Sequence, residues 1–160
     1  MSAMSAIPAV TSTVDSYRKT YEQNRHRLYS LAFWMTDHEL AAEEVMVSTF
    51  TRCFAANATP IAEDLDRSLL AELRELMPIG HLTLNCTVAE KALRVRYNIK
   101  RTELERAVVQ LPATERLIFL MHDVEQYDHA RIARTLGLSE LESQAGLHQA
   151  RLRVRELLAR

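Results

Sequence analysis

Glycine is scarce in this chain, with three among 160 residues, and proline (four), cysteine (two) and tryptophan (one) are nearly as rare. Three glycines leave no glycine-rich loop to cradle a phosphate and no Gly-x-Ser-x-Gly turn to expose a nucleophilic serine. Two cysteines and six histidines stand at no metal-ligand spacing, so the expectation is no cofactor, no metal and no enzymatic activity. Cys53 and Cys86 lie far apart and outside any Cys-x-x-Cys pair, which reads as reduced, structurally incidental thiols. No apolar run approaches the roughly 20 residues that cross a bilayer. Met1 to Thr13 has neither the basic start nor the apolar centre of a secretion signal. The expected location is the cytoplasm, without membrane insertion.

What is present is an ordinary balance for a chain that folds in water, 48% hydrophobic and 26% charged, enough for one domain or two small ones. The net charge of −1 argues against a general polyanion binder. The halves differ: residues 1–80 carry seven Lys or Arg against eleven Asp or Glu, residues 81–160 thirteen against ten. In the second half Arg151, Arg153 and Arg155 cluster in one segment. They serve either as phosphate contacts or as a solvated outer face.

Helical periodicity recurs along the chain. Tyr17, Tyr21, Leu28, Leu31 and Met35 form an apolar line, widened by Trp34, and aromatics at that spacing read as core rather than as a nucleic-acid surface. Thr36 with Glu39 is a capping box opening a second helix through Val45, Thr49, Phe50, Cys53 and Phe54. Thr59-Pro60 starts a third, with Ile61, Leu65, Leu69, Leu70, Leu73 and Met77 inward, and Pro78-Ile79-Gly80 stops it. His81 to Thr87 alternates polar and apolar residues, but a lone strand has no ladder partner, so this segment reads as a linker or an irregular helix start. Thr87 with Glu90 and Thr102 with Glu105 are further capping boxes, for helices through Leu93 and Tyr97, then Leu104, Val108 and Leu111. The expected class is all-α: a disordered tail (1–13), a helical bundle (14–77), a linker with a connecting helix (78–101) and a second bundle (102–160).

The second bundle holds the most specific pattern. Ile132, Ala133 and Leu136 share one helix side, Gly137 supplies a residue able to take positive φ, and Leu138 closes the corner over them. Ser139 with Glu142 caps the following helix, along which Leu147, Ala150, Val154, Leu157 and Leu158 form the inward stripe. A short helix joined to a longer one through a glycine turn is a helix-turn-helix of the DNA-binding type. His122-Asp123 and His129 beside Asp128 are isolated catalytic candidates, but Asp128 is better explained as the N-cap of the first helix.

These parts stand in an order that resembles the extracytoplasmic-function (ECF) class of bacterial sigma factors. The resemblance is strongest through Leu111-Pro112, Glu115-Arg116, Asp123-Val124-Glu125, Ile132-Ala133, Leu136 to Ser139 and Leu147-His148-x-Ala150-Arg151, which match the family's region 4. It continues in region 2 through Tyr21, Arg27-Leu28-Tyr29, Leu31-Ala32, Ala42-Glu43-Glu44 and Thr49-Phe50-x-Arg52. It implies two small bundles, one binding core RNA polymerase and the −10 element and one reading the −35 element of promoter DNA, with an anti-sigma factor as regulatory partner. Carried onto this sequence, Ser143, Gln144, His148, Arg151, Arg153 and Arg155 become the DNA-binding candidates. Glu44, Val47, Ser48 and Arg52 become the polymerase-binding candidates.

The departures have physical consequences. Gln144, Gly146 and Gln149 stand where the family commonly carries basic residues, and each lost phosphate contact lowers affinity for every DNA sequence. Val47 and Ser48 replace the Gln-Glu pair that follows the acidic residue in region 2, and the segment associated with promoter melting is replaced by an acidic stretch, Glu63, Asp64 and Asp66. Two functions stay open. One is an initiation factor that directs promoter-specific transcription. The other is a sigma-like protein-interaction module that decoys an anti-sigma factor, with weak or no DNA binding.

Overall fold

The computed structural model describes residues 6–87 and 98–159, and among these every regular element is helical. Among the described residues seven α-helices follow in order: α1 Ala6–Thr36, α2 Glu39–Ala56, α3 Ala62–Arg74, α4 Arg101–Val109, α5 Ala113–Phe119, α6 His129–Leu136 and α7 Glu140–Leu158. A π-helical turn, Leu120–Val124, extends α5. The chain divides into two compact units, residues 1–72 and 73–160, and the division falls inside α3.

In the first unit α1 and α2 run antiparallel. Tyr17 meets Phe54 and Tyr21 meets Phe50, with ring centroids 4.5 and 4.8 Å apart, so four residues forward on one helix are four back on the other. Leu28, Leu31, Ala32 and Met35 face Ala42, Val45, Phe50 and Cys53 in a core that α3 completes with Leu65, Leu69 and Leu70. Tyr17 and Tyr21 are thus half-buried and packed across the α1–α2 interface, and Trp34 is half-buried as well. The α1–α2 corner is made by Asp37 at φ +53°, and His38 caps α2 by accepting the Ala41 N–H on Nδ1 at 3.2 Å.

Several expected boundaries move. The expected disordered tail reaches residue 13, yet α1 starts at Ala6; Pro8 falls in its first turn, where a missing N–H costs no helical bond. Thr36 does not cap α2, because α1 runs through it and its hydroxyl donates back to the Ala32 carbonyl at 2.8 Å. Pro60 lies before α3 rather than inside it: Ile61 accepts the first helical bonds, and the Asp64 carboxylate takes the Ile61 N–H at 2.9 Å. Ile61 is consequently 62% exposed instead of inward, and Met77 lies past the helix end. Thr102 is inside the first turn of α4, where Glu103 accepts the Lys100 N–H, and Leu104 points outward while Val108 and Leu111 are buried. Of the helix expected from Thr87 through Tyr97, residues 88–97 lie outside the described residues.

The second unit packs α4 to α7 around two apolar groups. Ala107, Leu111, Ala150, Val154 and Leu158 form one cluster. Leu117, Ile118, Leu120, Met121, Ile132, Ala133, Leu136 and Leu147 are buried with them. At the turn between α6 and α7, Gly137 takes φ +70° and ψ +33°, the Gly137 and Leu138 N–H groups both return to the Ala133 carbonyl, and Leu138 is half-buried over the corner. Both N-caps form as read: Asp128 accepts the Arg131 N–H at 2.8 Å, and Ser139 and Glu142 make a reciprocal capping box at 3.0 and 3.1 Å. The helix-turn-helix is thus fixed by backbone geometry at one glycine and by two caps.

Candidate functional site

Helix α7 sorts the six candidate DNA-binding residues. Gln144, His148 and Arg151 lie on its exposed side, together with Leu141 (76% exposed) and Ala145. Ser143 does not join them. It is fully buried, and its hydroxyl lies 2.8 Å from His129 Nδ1, tying α7 to α6. Arg153 and Arg155 are half-buried on the flanks, with Arg153 3.6 Å from Glu156.

Arg151 is exposed but occupied. Its guanidinium grips both Asp123 carboxylate oxygens, at 2.6 and 3.0 Å, across 28 residues of sequence. Burial by itself pushes the Asp123 carboxyl up, but hydrogen bonds from Arg151 and His122 outweigh it and hold the group below the usual carboxylate range. The same bond pushes the Arg151 guanidinium further up. His122 also stacks on His129, ring centroids 4.7 Å apart. Burial, then the neighbouring His122 and Arg151 charges, hold His129 below its ordinary value, favouring the neutral ring beside Ser143. Arg151 can therefore meet a phosphate only while sharing its charge with Asp123.

Gly146 and Gln149 take a role that the sequence did not disclose. A Cβ at Gly146 would stand 2.7 Å from Ile118 Cδ1 and 2.9 Å from Leu82 Cδ2, so this glycine allows close approach of two side chains. Gln149 Oε1 accepts the Cys86 N–H. Both residues serve a connector, residues 79–87, within the second unit. Glu115, completely buried, receives the Thr83 N–H and hydroxyl and the Leu84 N–H. No local pattern distinguishes a buried Glu115 from a surface one, since its partners stand some 30 positions away.

In the first unit the four polymerase candidates lie along α2. Glu44 and Val47 are exposed, Val47 by 56%, and with Leu40 (66% exposed) and Thr51 they form a stripe at spacing 40, 44, 47, 51. Ser48 is half-buried, and Arg52 Nε donates to Glu72 at 2.8 Å. The exposure of Leu40 on this stripe is a feature that sequence reasoning missed. The acidic character of α3 is weaker than its composition implies. Asp66 is fully buried against Arg27 at 3.3 Å, and Asp64 is engaged by Ile61, Asn57 and Arg67, whose hydrogen bonds, led by the Ile61 N–H, hold its carboxyl low. No cluster of His, Cys, Asp or Glu among the described residues is arranged to hold a metal. No described helix is long and apolar enough to cross a membrane.

Residues 101–154 match the family Sigma-70, region 4, which spans α4 to most of α7. No curated protein matches the chain in sequence. Among solved structures, the chain is similar to the sigma factor RpoE from Bartonella quintana, solved as a co-crystal with the anti-sigma factor NepR. The TM-score is 0.68 at 15% identity, and the match covers 89% of this chain and 96% of that one. At that identity the likeness is one of fold. Residues 101–154 are thus similar to sigma-70 region 4, and the chain shares its fold with that sigma factor over 89% of its length.

Proposed function

We propose that the chain works in the cytoplasm as a non-enzymatic initiation factor, binding core RNA polymerase through the outer stripe of α2 and promoter DNA through the exposed side of α7. The carrying observation is the geometry of α7. A glycine corner and a complete capping box offer a long helix whose exposed side bears Gln144, His148 and Arg151. An amide such as that of Gln144 can pair with both adenine edge groups in a major groove, and Leu141 and Ala145 beside it are suited to thymine methyls. In this reading the first unit supplies the −10 contact and the second the −35 contact. The purified chain, mixed with core polymerase, is expected to co-elute with it and to protect a −35-like element in a salt-sensitive footprint. Absence of both signals would dismiss the reading.

A second reading has its own support. Arg151 is held by Asp123, Ser143 is buried, and Gly146 and Gln149 are turned to the connector, which leaves little positive charge free on α7. A solved structure of the same fold holds an anti-sigma factor. The chain would then be a sigma-like module that occupies an anti-sigma factor without engaging DNA. Gln144→Lys separates the two: it changes promoter affinity in an initiation factor, trading the amide contact for a charge, and leaves anti-sigma association unchanged in a decoy.

A further inference from the structure

Residues 79–87 have no regular structure, yet they are among the most specifically held segments of the second unit. Leu82, Leu84 and Cys86 are half-buried while His81, Thr83, Asn85 and Thr87 are exposed, so the polar–apolar alternation is real although no strand accompanies it. A segment outside a sheet has no ladder partner for its N–H groups. Here those groups are taken by side chains: Gly80 N–H by Thr114 Oγ1 at 3.0 Å, Thr83 and Leu84 N–H by Glu115, and Cys86 N–H by Gln149. Leu84 packs on the Ala107–Leu111–Ala150–Val154 cluster, and Leu82 enters the space left open by the missing side chain of Gly146.

We propose that residues 79–87 are an intramolecular latch, and that Glu115, Gly146 and Gln149 form the site that receives it. Glu115 supplies the specificity. A fully buried carboxylate must be hydrogen-bonded, and the N–H groups and hydroxyl that satisfy it belong to the segment itself. A one-residue slip would put Thr83, Asn85 and Thr87 where Leu82, Leu84 and Cys86 now pack, which pins the register. Gly146 supplies the shape, because any larger residue there displaces Leu82 or Ile118. A partner that takes hold of the connector, or of this flank of α7, competes with the latch and shifts the population toward the released state. This goes beyond the functional reading above and holds for an initiation factor and a decoy alike.

The native full-length chain provides its own probe, since Cys86 sits in the latch. Maleimide labelling of Cys86, followed by peptide mass spectrometry, is expected to run at least tenfold slower than in the urea-unfolded chain. Thr83→Pro removes the N–H and the hydroxyl that Glu115 accepts, by a substitution within the latch, and Gly146→Arg fills the notch. Each is expected to speed Cys86 labelling at least fivefold. Hydrogen exchange on α6 and α7 peptides serves as the fold control, and if Gly146→Arg loses that protection, Thr83→Pro decides. Native labelling within twofold of the unfolded rate, or an unchanged rate in Thr83→Pro, would overturn the proposal.

Discussion

At Gly137 the cost of any substitution is conformational, because a Cβ built there meets nothing within 4 Å while φ stands at +70°. Gly137→Ala is expected to destabilise the second unit by about 1–2 kcal/mol in urea titration, and Gly137→Asn, whose side chain tolerates the left-handed region, by less. His129 gives a pH signature. Its folded pKa lies below the ordinary value, so the unfolded chain binds the proton first, and the stability that neutral His129 contributes is complete above about pH 6.5 and lost as pH falls below it. Denaturation midpoints measured from pH 7.5 to 5 should fall in the native chain, and His129→Leu should remove that slope. Asp123 follows the same sign in a lower window, its contribution present above about pH 4 and lost as pH falls through its depressed folded value. At this scale the caps at Asp128 and Ser139 and the turn at Gly137 were legible because each depends on neighbours within three or four positions. The Arg151–Asp123 and Ser143–His129 pairs were not, because 28 and 14 residues separate the partners.

Elements show why the same short motif can form or fail. Ser139-x-x-Glu142 and Thr36-x-x-Glu39 look alike in sequence, but the first follows a helix already ended by a glycine, whereas α1 continues through Thr36 and Asp37 makes the break. Ser139→Ala is therefore expected to cost about 1 kcal/mol. Thr36→Ala and Thr102→Ala should each stay within about 0.5 kcal/mol, all three read from thermal or urea unfolding. Equal losses at all three positions would contradict the assigned caps. Helix existence and inward faces were readable from periodicity, since Leu28, Leu31 and Met35 or Leu65, Leu69 and Leu70 repeat at the helical period. Helix starts were not, because several adjacent residues can accept the first N–H groups and packing selects among them.

For the molecule as a whole, two units with separate cores imply separable responses. Leu28→Ala removes a fully buried side chain from the first core and is expected to cost about 2–5 kcal/mol. Hydrogen exchange should locate the loss in α1 and α2 while α6 and α7 keep their protection. In the proposed initiation-factor reading, function divides in the same way. Val47→Asp on the α2 stripe should weaken polymerase co-elution without moving the unfolding midpoint by more than about 0.5 kcal/mol, whereas Gln144→Lys should act on DNA affinity alone.

The sequence by itself determined the all-helical class, the glycine corner, its two caps and the order of parts shared with sigma factors. All of these follow from interactions between residues a turn or less apart or from the period of apolar positions. Tertiary structure alone decided which side chains of α7 remain available. Ser143, Gly146, Gln149 and Arg151 are adjacent on one helix, yet each is committed to a partner brought from elsewhere in the chain: His129, Leu82, Cys86 and Asp123. Helical periodicity states the side to which a residue points, but only folding places a distant carboxylate or connector against it.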